Sequence, residues 1–206
     1  MARLQKDAAA PPLPTRERVL ELALDLVRQR GDAEISLVDL AAAAGLSRQM
    51  LYVLFGSRAG LLMAMVDHVD ARSGAGERLA SLRTSMPPAQ AFGPYLRAWF
   101  DYLPVVLPVA RALSVAAARG DADAAAAWGS RLDKLRTGFT LMARAFRAAG
   151  VLKAGWTPET AADWILALTH IDLWQHLVVE AGWKPADHVD RIVATLQETL
   201  LDAQER

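Results

Sequence analysis

The chain contains no cysteine, and its charges cancel. The first absence excludes disulfides, thiolate metal sites and thiol nucleophiles together. The second bears on partners: 23 lysines and arginines stand against 23 aspartates and glutamates, and up to Arg72 nine bases meet nine acids. Any phosphate recognition must therefore come from a local basic edge, formed for example by Arg3, Lys6, Arg16, Arg48 and Arg58, because bulk attraction to a polyanion is missing. No apolar N-terminal stretch follows a basic start, so a secretion signal is not expected. Charges or prolines interrupt every apolar run before the roughly eighteen residues of a membrane span. HExxH, a glycine-rich phosphate loop and a Ser-His-Asp order with a nucleophile elbow are all missing, so catalysis has no positive support. These absences predict a cytoplasmic protein that is not an enzyme and needs no cofactor. Its 206 residues suffice for one large domain or two small ones.

What the chain does have is helical punctuation. From Asp39 to Phe55 it reads DLAAAAGLSRQMLYVLF. Ser36 is a candidate N-cap, Leu37, Leu40 and Ala41 give an inward face, and Gly45 can take the left-handed conformation that ends a helix. Ser47 can cap a second helix of roughly nine residues, in which Leu51 and Phe55 lie one turn apart and turn inward. Arg48, Gln49, Met50, Tyr52 and Val53 are left for the outside. A short helix anchored by two apolar residues, with a guanidinium, an amide and a phenol outward, suits the major groove of DNA. By spacing alone, two short helices joined at Gly45 are more often an ordinary helical hairpin than a DNA reader.

The flanking segments add context. Residues 1–14 carry an alanine run and three prolines and read as a flexible arm. Thr15 then starts an amphipathic helix with Val19, Leu22, Ala23, Leu26 and Val27 at three- and four-residue steps up to Gly31. Gly56 and Ser57 form a stop and a new cap. A long helix from Arg58 towards Leu82 follows, with a break expected near Ser73, Gly74 and Gly76.

With the segment ISLVDLAAAAGLSRQMLYVLFGSRAGLL from Ile35 to Leu62, the chain resembles the N-terminal domain of the TetR family of one-component transcriptional repressors. The core of the resemblance is Ser47, Leu51, Tyr52 and Phe55, with Ala43, Ala44 and Gly45 before it and Ser57 and Arg58 after it. The resemblance implies that Ser36, Tyr52 and Arg58 contact phosphates, Arg58 replacing the more usual lysine. It also implies that Arg48, Gln49 and Met50 face base edges beside the capping Ser47. Leu54, Ala59 and the bulky Met50 depart from the family pattern, and Met50 suggests contact with a thymine methyl.

Beyond Pro87 the pattern stays helical without a local motif. One helix is expected from Ala89 to Leu103, broken by Pro104, and another from Pro108 to Arg119. A long helix then ends at Gly150. Thr157 and Pro158 resemble a helix start, and the segment from Ala161 to Ala181 is apolar almost all round, which predicts cover by a partner subunit. Val189, Val193, Leu196 and Leu200 form a narrow seam suited to helix packing. Together these two helices predict a homodimer through a four-helix bundle.

The aromatic side chains concentrate in this second region. Core packing explains any one of them, whereas as a set, given the resemblance, they imply a pocket for a small hydrophobic or aromatic effector. Trp99, Tyr102, Trp128, Phe139, Met142 and His170 are its candidate lining. Asp172, His176 and Glu180 step by four residues, a spacing compatible with a divalent metal or with a polar stripe, and no metal site is assigned from it. The expected architecture is all-α. It comprises an arm over 1–14, a three-helix helix-turn-helix DNA-binding domain over 15–60, and a larger helical ligand-binding and dimerisation domain over 61–206. The expected function is that of a regulator, most simply a repressor, binding a palindromic double-stranded operator as a dimer. The alternative is a helical ligand- or protein-binding module with a decayed DNA-reading surface.

Overall fold

The computed structural model describes residues 15–30 and 35–202. The expected arm, with Arg3 and Lys6, lies outside these residues, as does Gly31. Within them the chain folds as ten α-helices and one π-wound turn. A lone antiparallel bridge between Leu152 and Leu201 ties the last segment to the loop after the seventh helix.

Helices α1 (Thr15–Arg30), α2 (Leu37–Ala44) and α3 (Arg48–Phe55) make the N-terminal unit. Helix α1 buries Val19, Leu20, Ala23, Leu24 and Val27. Leu22 and Leu26 pack at the margin of that stripe, so the inward face is rotated slightly from the expected one. The local signals between the helices act as expected. The Ser36 hydroxyl oxygen accepts from the Val38 and Asp39 amides at 3.2 and 3.3 Å, and Gly45 stops α2 at φ 66°. Ser47 accepts from the Met50 amide at 3.2 Å, and α3 leaves α2 at a bend of 101°. Gly56 stops α3 at φ 76°. Ser57 starts α4 (Arg58–Ser73) by accepting from the Gly60 amide at 3.0 Å.

The long helix expected from Arg58 towards Leu82 breaks where expected, because Gly74, at φ 63°, separates α4 from α5 (Ala75–Thr84). The larger unit follows as α6 (Pro88–Ala118), α7 (Ala122–Ala148), α8 (Pro158–Leu168), α9 (Ile171–Trp174), the π turn Gln175–Glu180 and α10 (Pro185–Leu200).

Three expectations change here. Helix α6 runs unbroken for 31 residues through Pro94, Pro104 and Pro108. Each internal proline removes one backbone hydrogen bond and can weaken a helix by about 3 kcal/mol, yet α6 is the central helix of the fold. Phe92, Leu96, Leu103 and Leu113 are fully buried along it, and that packing outweighs the lost bonds. Among the described helices, α6 reaches by length and apolarity the dimensions of a membrane span, with half of the qualifying window buried inside the fold. Second, the apolar segment from Ala161 to Ala181 is not one helix. The hydroxyl of buried Thr169 donates back to the Ile165 carbonyl at 2.8 Å, and His170 re-caps the chain by accepting the Asp172 amide at Nδ1, 3.3 Å away. Third, the α10 seam is filled within the chain. Val193, Leu196 and Leu200 are buried, and α10 packs on α6 and α8.

Candidate DNA-reading surface and effector cavity

Helix α3 is held by Leu51, which is buried, while Arg48, Gln49, Met50, Tyr52 and Val53 are exposed. Met50 shows 43%, Tyr52 42% and Val53 74% of its surface, high values for apolar and aromatic side chains on a fold with an ample core. Arg48 donates from Nη2 to the Tyr52 hydroxyl at 3.3 Å, and its guanidinium carbon lies 5.7 Å from the ring centroid. The two are one turn apart, so the contact orders both at one edge of the helix. Six of the seven residues expected at DNA lie here in a single array: Ser36, Ser47, Arg48, Gln49, Met50 and Tyr52. The serine oxygens accept backbone amides, which leaves each hydroxyl hydrogen available to an acceptor such as phosphate.

The seventh, Arg58, borders this array but is turned towards the larger unit. Its Nη1 donates to both Asp121 carboxylate oxygens at 2.8 and 2.7 Å, and its Nε donates to the Ile35 carbonyl at 3.4 Å. Asp123 lies 4.0 Å from the same guanidinium. Asp121 is also the N-cap of α7, accepting from the Ala124 amide at 3.1 Å. Burial works against its charged form, but the Ala124 amide and the Arg58 guanidinium prevail and hold the carboxyl below the usual aspartate range. An open groove of about 540 Å³ runs between these groups, bordered by Ser36, Arg48, Tyr52, Arg58, Asp121 and Asp123.

Further ion pairs join α4 to its neighbours. Lys134 of α7 meets Asp67 at 2.9 Å, and Arg131 of α7 meets Asp70, which also accepts from the Tyr102 hydroxyl. On the other side Glu21 of α1 pairs with His68 at 2.6 Å and with Arg72. The His68 hydrogen bond, with Arg72 beside it, holds the Glu21 carboxyl below its ordinary range. Burial pushes the Tyr102 phenol far up, and Asp70 adds to that rise.

Five of the six expected effector residues converge. A slot of about 20 Å³ between α6, α7, α8 and α9 is lined by Trp99, Trp128 and His170 together with Arg131, Leu132 and Leu166. Trp128 and His170 meet edge to face at 5.8 Å, and Trp99 sits 5.8 Å from Tyr102 and 6.3 Å from Phe139. Met142 lies apart, against a second cavity of about 100 Å³ with Phe92, Leu141 and Arg83. Arg131 and Thr169 are the polar lining residues that periodicity did not single out. Arg131 follows Trp128 by three residues on the same helix, and that spacing was the available signal.

Asp172, His176 and Glu180 do not converge. Asp172 lies 3.3 Å from His170, whereas His176 pairs with Glu180 at 3.4 Å. No group of three potential metal ligands occurs among the described residues. The restart at His170 and the π winding remove the regular turns that the four-residue spacing presupposed. His188 is a different case. It is 1% exposed, boxed edge to face by Phe100 and Trp174 at 5.3 and 5.4 Å, and neither ring nitrogen has a hydrogen-bond partner.

A helix-turn-helix unit with an outward reading helix, joined by salt-bridged α4 to a larger helical unit, defines a class of DNA-binding regulators. Residues 19–65 match the family model described as bacterial regulatory proteins, tetR family. Over residues 19–65 the chain is thus similar to the N-terminal domain of TetR-family regulators. No curated protein sequence matches it. Among solved structures, a TetR-family transcriptional regulator of Syntrophomonas wolfei has a TM-score of 0.74 at 15% identity, covering 89% of this chain and 93% of its own. NalD of Pseudomonas aeruginosa, the secondary repressor of the MexAB-OprM multidrug efflux pump, gives 0.68 at 19%, covering 92% and 96%. A transcriptional regulator of Saccharomonospora viridis in complex with choline gives 0.68 at 17%, covering 91% and 97%. At these identities the likeness concerns the fold.

Proposed function

We propose that the chain is a cytoplasmic, non-enzymatic repressor that binds a palindromic operator as a homodimer and is released by an apolar or aromatic small molecule. The observation that carries this reading is the α3 surface: Leu51 fixes the helix while Arg48, Gln49, Met50 and Tyr52 stand outward beside the capping hydroxyls of Ser36 and Ser47. Arg and Gln can make paired hydrogen bonds to guanine and adenine, Met50 can meet a thymine methyl, and the hydroxyls can donate to phosphate. Repression is supported by the likeness in fold to NalD, and an effector site by the likeness to the choline complex.

The last two helices supply the dimer contact in this reading. With the α10 seam filled from within, the contact falls to half-exposed Leu173, Leu177 and Val178 and to exposed Val179 and Trp183. A partner subunit would cover them. The test is a mobility shift on the DNA upstream of the coding sequence. The wild type should form a specific complex that Arg48→Ala with Tyr52→Ala abolishes. A wild type that binds no duplex specifically, or a double variant that binds undiminished, leaves a helical binding module without a DNA-reading surface.

A further inference from the structure

Arg131 carries the full charge at the slot between α6, α7, α8 and α9; the other lining residues are apolar apart from Thr169 and His170. Its side chain is 10% exposed. Nη1 donates to Asp70 and Nη2 to the Tyr102 hydroxyl at 3.4 Å, while Tyr102 donates to the other Asp70 oxygen. A guanidinium has five N–H donors in a planar fork that matches a carboxylate, and these partners engage two of them. Asp70 does not line the slot, although its side chain is 33% exposed and stands near the end of α4.

We propose that the slot binds an amphipathic anion, with an apolar body between Trp99 and Trp128 and a carboxylate on Arg131 in the place Asp70 holds in this structure. The proposal rests on the reading of the slot as the effector site and names the charge of what enters it. A cation entering the slot meets Arg131 before it can reach Asp70 and is repelled. A neutral body leaves the ion pair as it stands. An anion trades one carboxylate for another on a covered guanidinium, so Arg131 stays paired throughout, while Asp70, with 33% of its side chain exposed, is left to solvent. Half-exposed Trp128 and His170 stand at the rim, and because the slot holds only about 20 Å³, they must part to admit a ring or chain. After the exchange Asp70 keeps Tyr102 but loses its cation. Asp70 belongs to α4, the helix that leaves the reading head, so the head group acts at the joint between the two units.

The experiment is isothermal titration of the full chain with two matched sets of probes: 2-naphthoate, 2-naphthamide and 2-naphthylmethylammonium, and octanoate, octanamide and octylammonium. On either scaffold the carboxylate should bind at least about tenfold more tightly than its amide, since hydrogen bonds to charged groups exceed neutral ones, and the cation should bind most weakly. Asp70→Asn retains an acceptor for Tyr102 and removes the competing charge; it should strengthen carboxylate binding several-fold and leave the amide unchanged. Arg131→Gln combined with Asp70→Asn leaves no orphaned ion and should erase the preference for the acid. Amides or cations binding as well as the acids, a preference that survives in the double variant, or Asp70→Asn without a gain would overturn the proposal while the effector reading stands. If none of the six probes binds the wild type, the slot is not an effector site and both readings fall.

Discussion

At the scale of single residues, two side-chain environments lead to opposite substitutions. Gly60, in the first turn of α4, has no space for a methyl group: a Cβ there would lie 2.0 Å from the Phe55 carbonyl oxygen. Gly60→Ala must shift backbone at the joint of α3 and α4, and we expect a loss of roughly 1–3 kcal/mol, as for other overpacked sites, read by urea unfolding. Gly76→Ala on α5 meets nothing within 4 Å and should be neutral or stabilising by up to about 1 kcal/mol. Equal losses from both would remove the steric argument. His188 poses a titration question. Burial alone depresses its pKa below the ordinary value of 6.5, because no partner compensates the charged ring. Between that depressed pKa and 6.5 the unfolded chain binds more protons than the folded one, so stability falls as pH drops through that window and is fully present above it. His188→Leu should therefore flatten the decline in melting temperature between neutral and mildly acidic pH. Removing an unsatisfied polar group should also raise stability at neutral pH by about 1 kcal/mol, or roughly 2–4 °C for a chain of this size. An unchanged acid slope in the variant would assign the decline to other groups.

At the scale of elements, α4 is the part to which the rest is fastened. Arg58, Asp67 and Asp70 along it meet Asp121, Lys134 and Arg131 along α7, and Glu21 of α1 holds the opposite side through His68 and Arg72. The Arg58 contact places a residue expected at phosphate in the grip of an acid, so in the proposed reading DNA and Asp121 would compete for one guanidinium. Asp121→Asn keeps the cap on α7 and removes the competing charge. Duplex affinity should rise, and its dependence on salt should steepen by about 0.9 in the log–log slope for each phosphate newly neutralised. Weaker binding with an unchanged slope would mean instead that the pair orients the head for DNA. These elements also show what sequence reading can reach. Ser36, Gly45, Ser47, Gly56, Ser57 and Thr157 mark their boundaries correctly because a cap is settled within four residues. The continuity of α6 through three prolines was not legible, since the compensating burial comes from α5, α7 and α10 packed around it. The partners of Arg58 and Arg131 lie 63 and 61 residues away, a separation that periodicity does not encode.

At the scale of the whole molecule, the assembly decides whether one reading head is enough. In the proposed reading a single α3 offers a few base contacts and little net charge, since its domain is neutral, so useful affinity would depend on two heads held at a fixed separation. The apolar composition of the segment from Ala161 to Ala181 was readable, but the face it leaves open was not, because the interruption at Thr169 and the π turn re-aim its later side chains. Val179 and Trp183 remain 55% and 39% exposed, with Leu177 and Val178 half-buried beside them, whereas the seam of α10 faces inward. In the proposed reading the dimer contact lies on this patch. Val179→Asp with Trp183→Asp alters exposed positions, so each protomer should keep its fold and lose at most about 0.5 kcal/mol per site. Wild type should sediment as a dimer and the double variant as a monomer, at the same helical content by circular dichroism. Affinity for a palindromic duplex should then fall by about 100-fold or more, while affinity for a single half-site changes little, because only the linkage between the heads is removed. A variant that still sediments as a dimer would place the contact elsewhere on the chain. A monomeric variant with undiminished affinity for the palindrome would show that one head suffices.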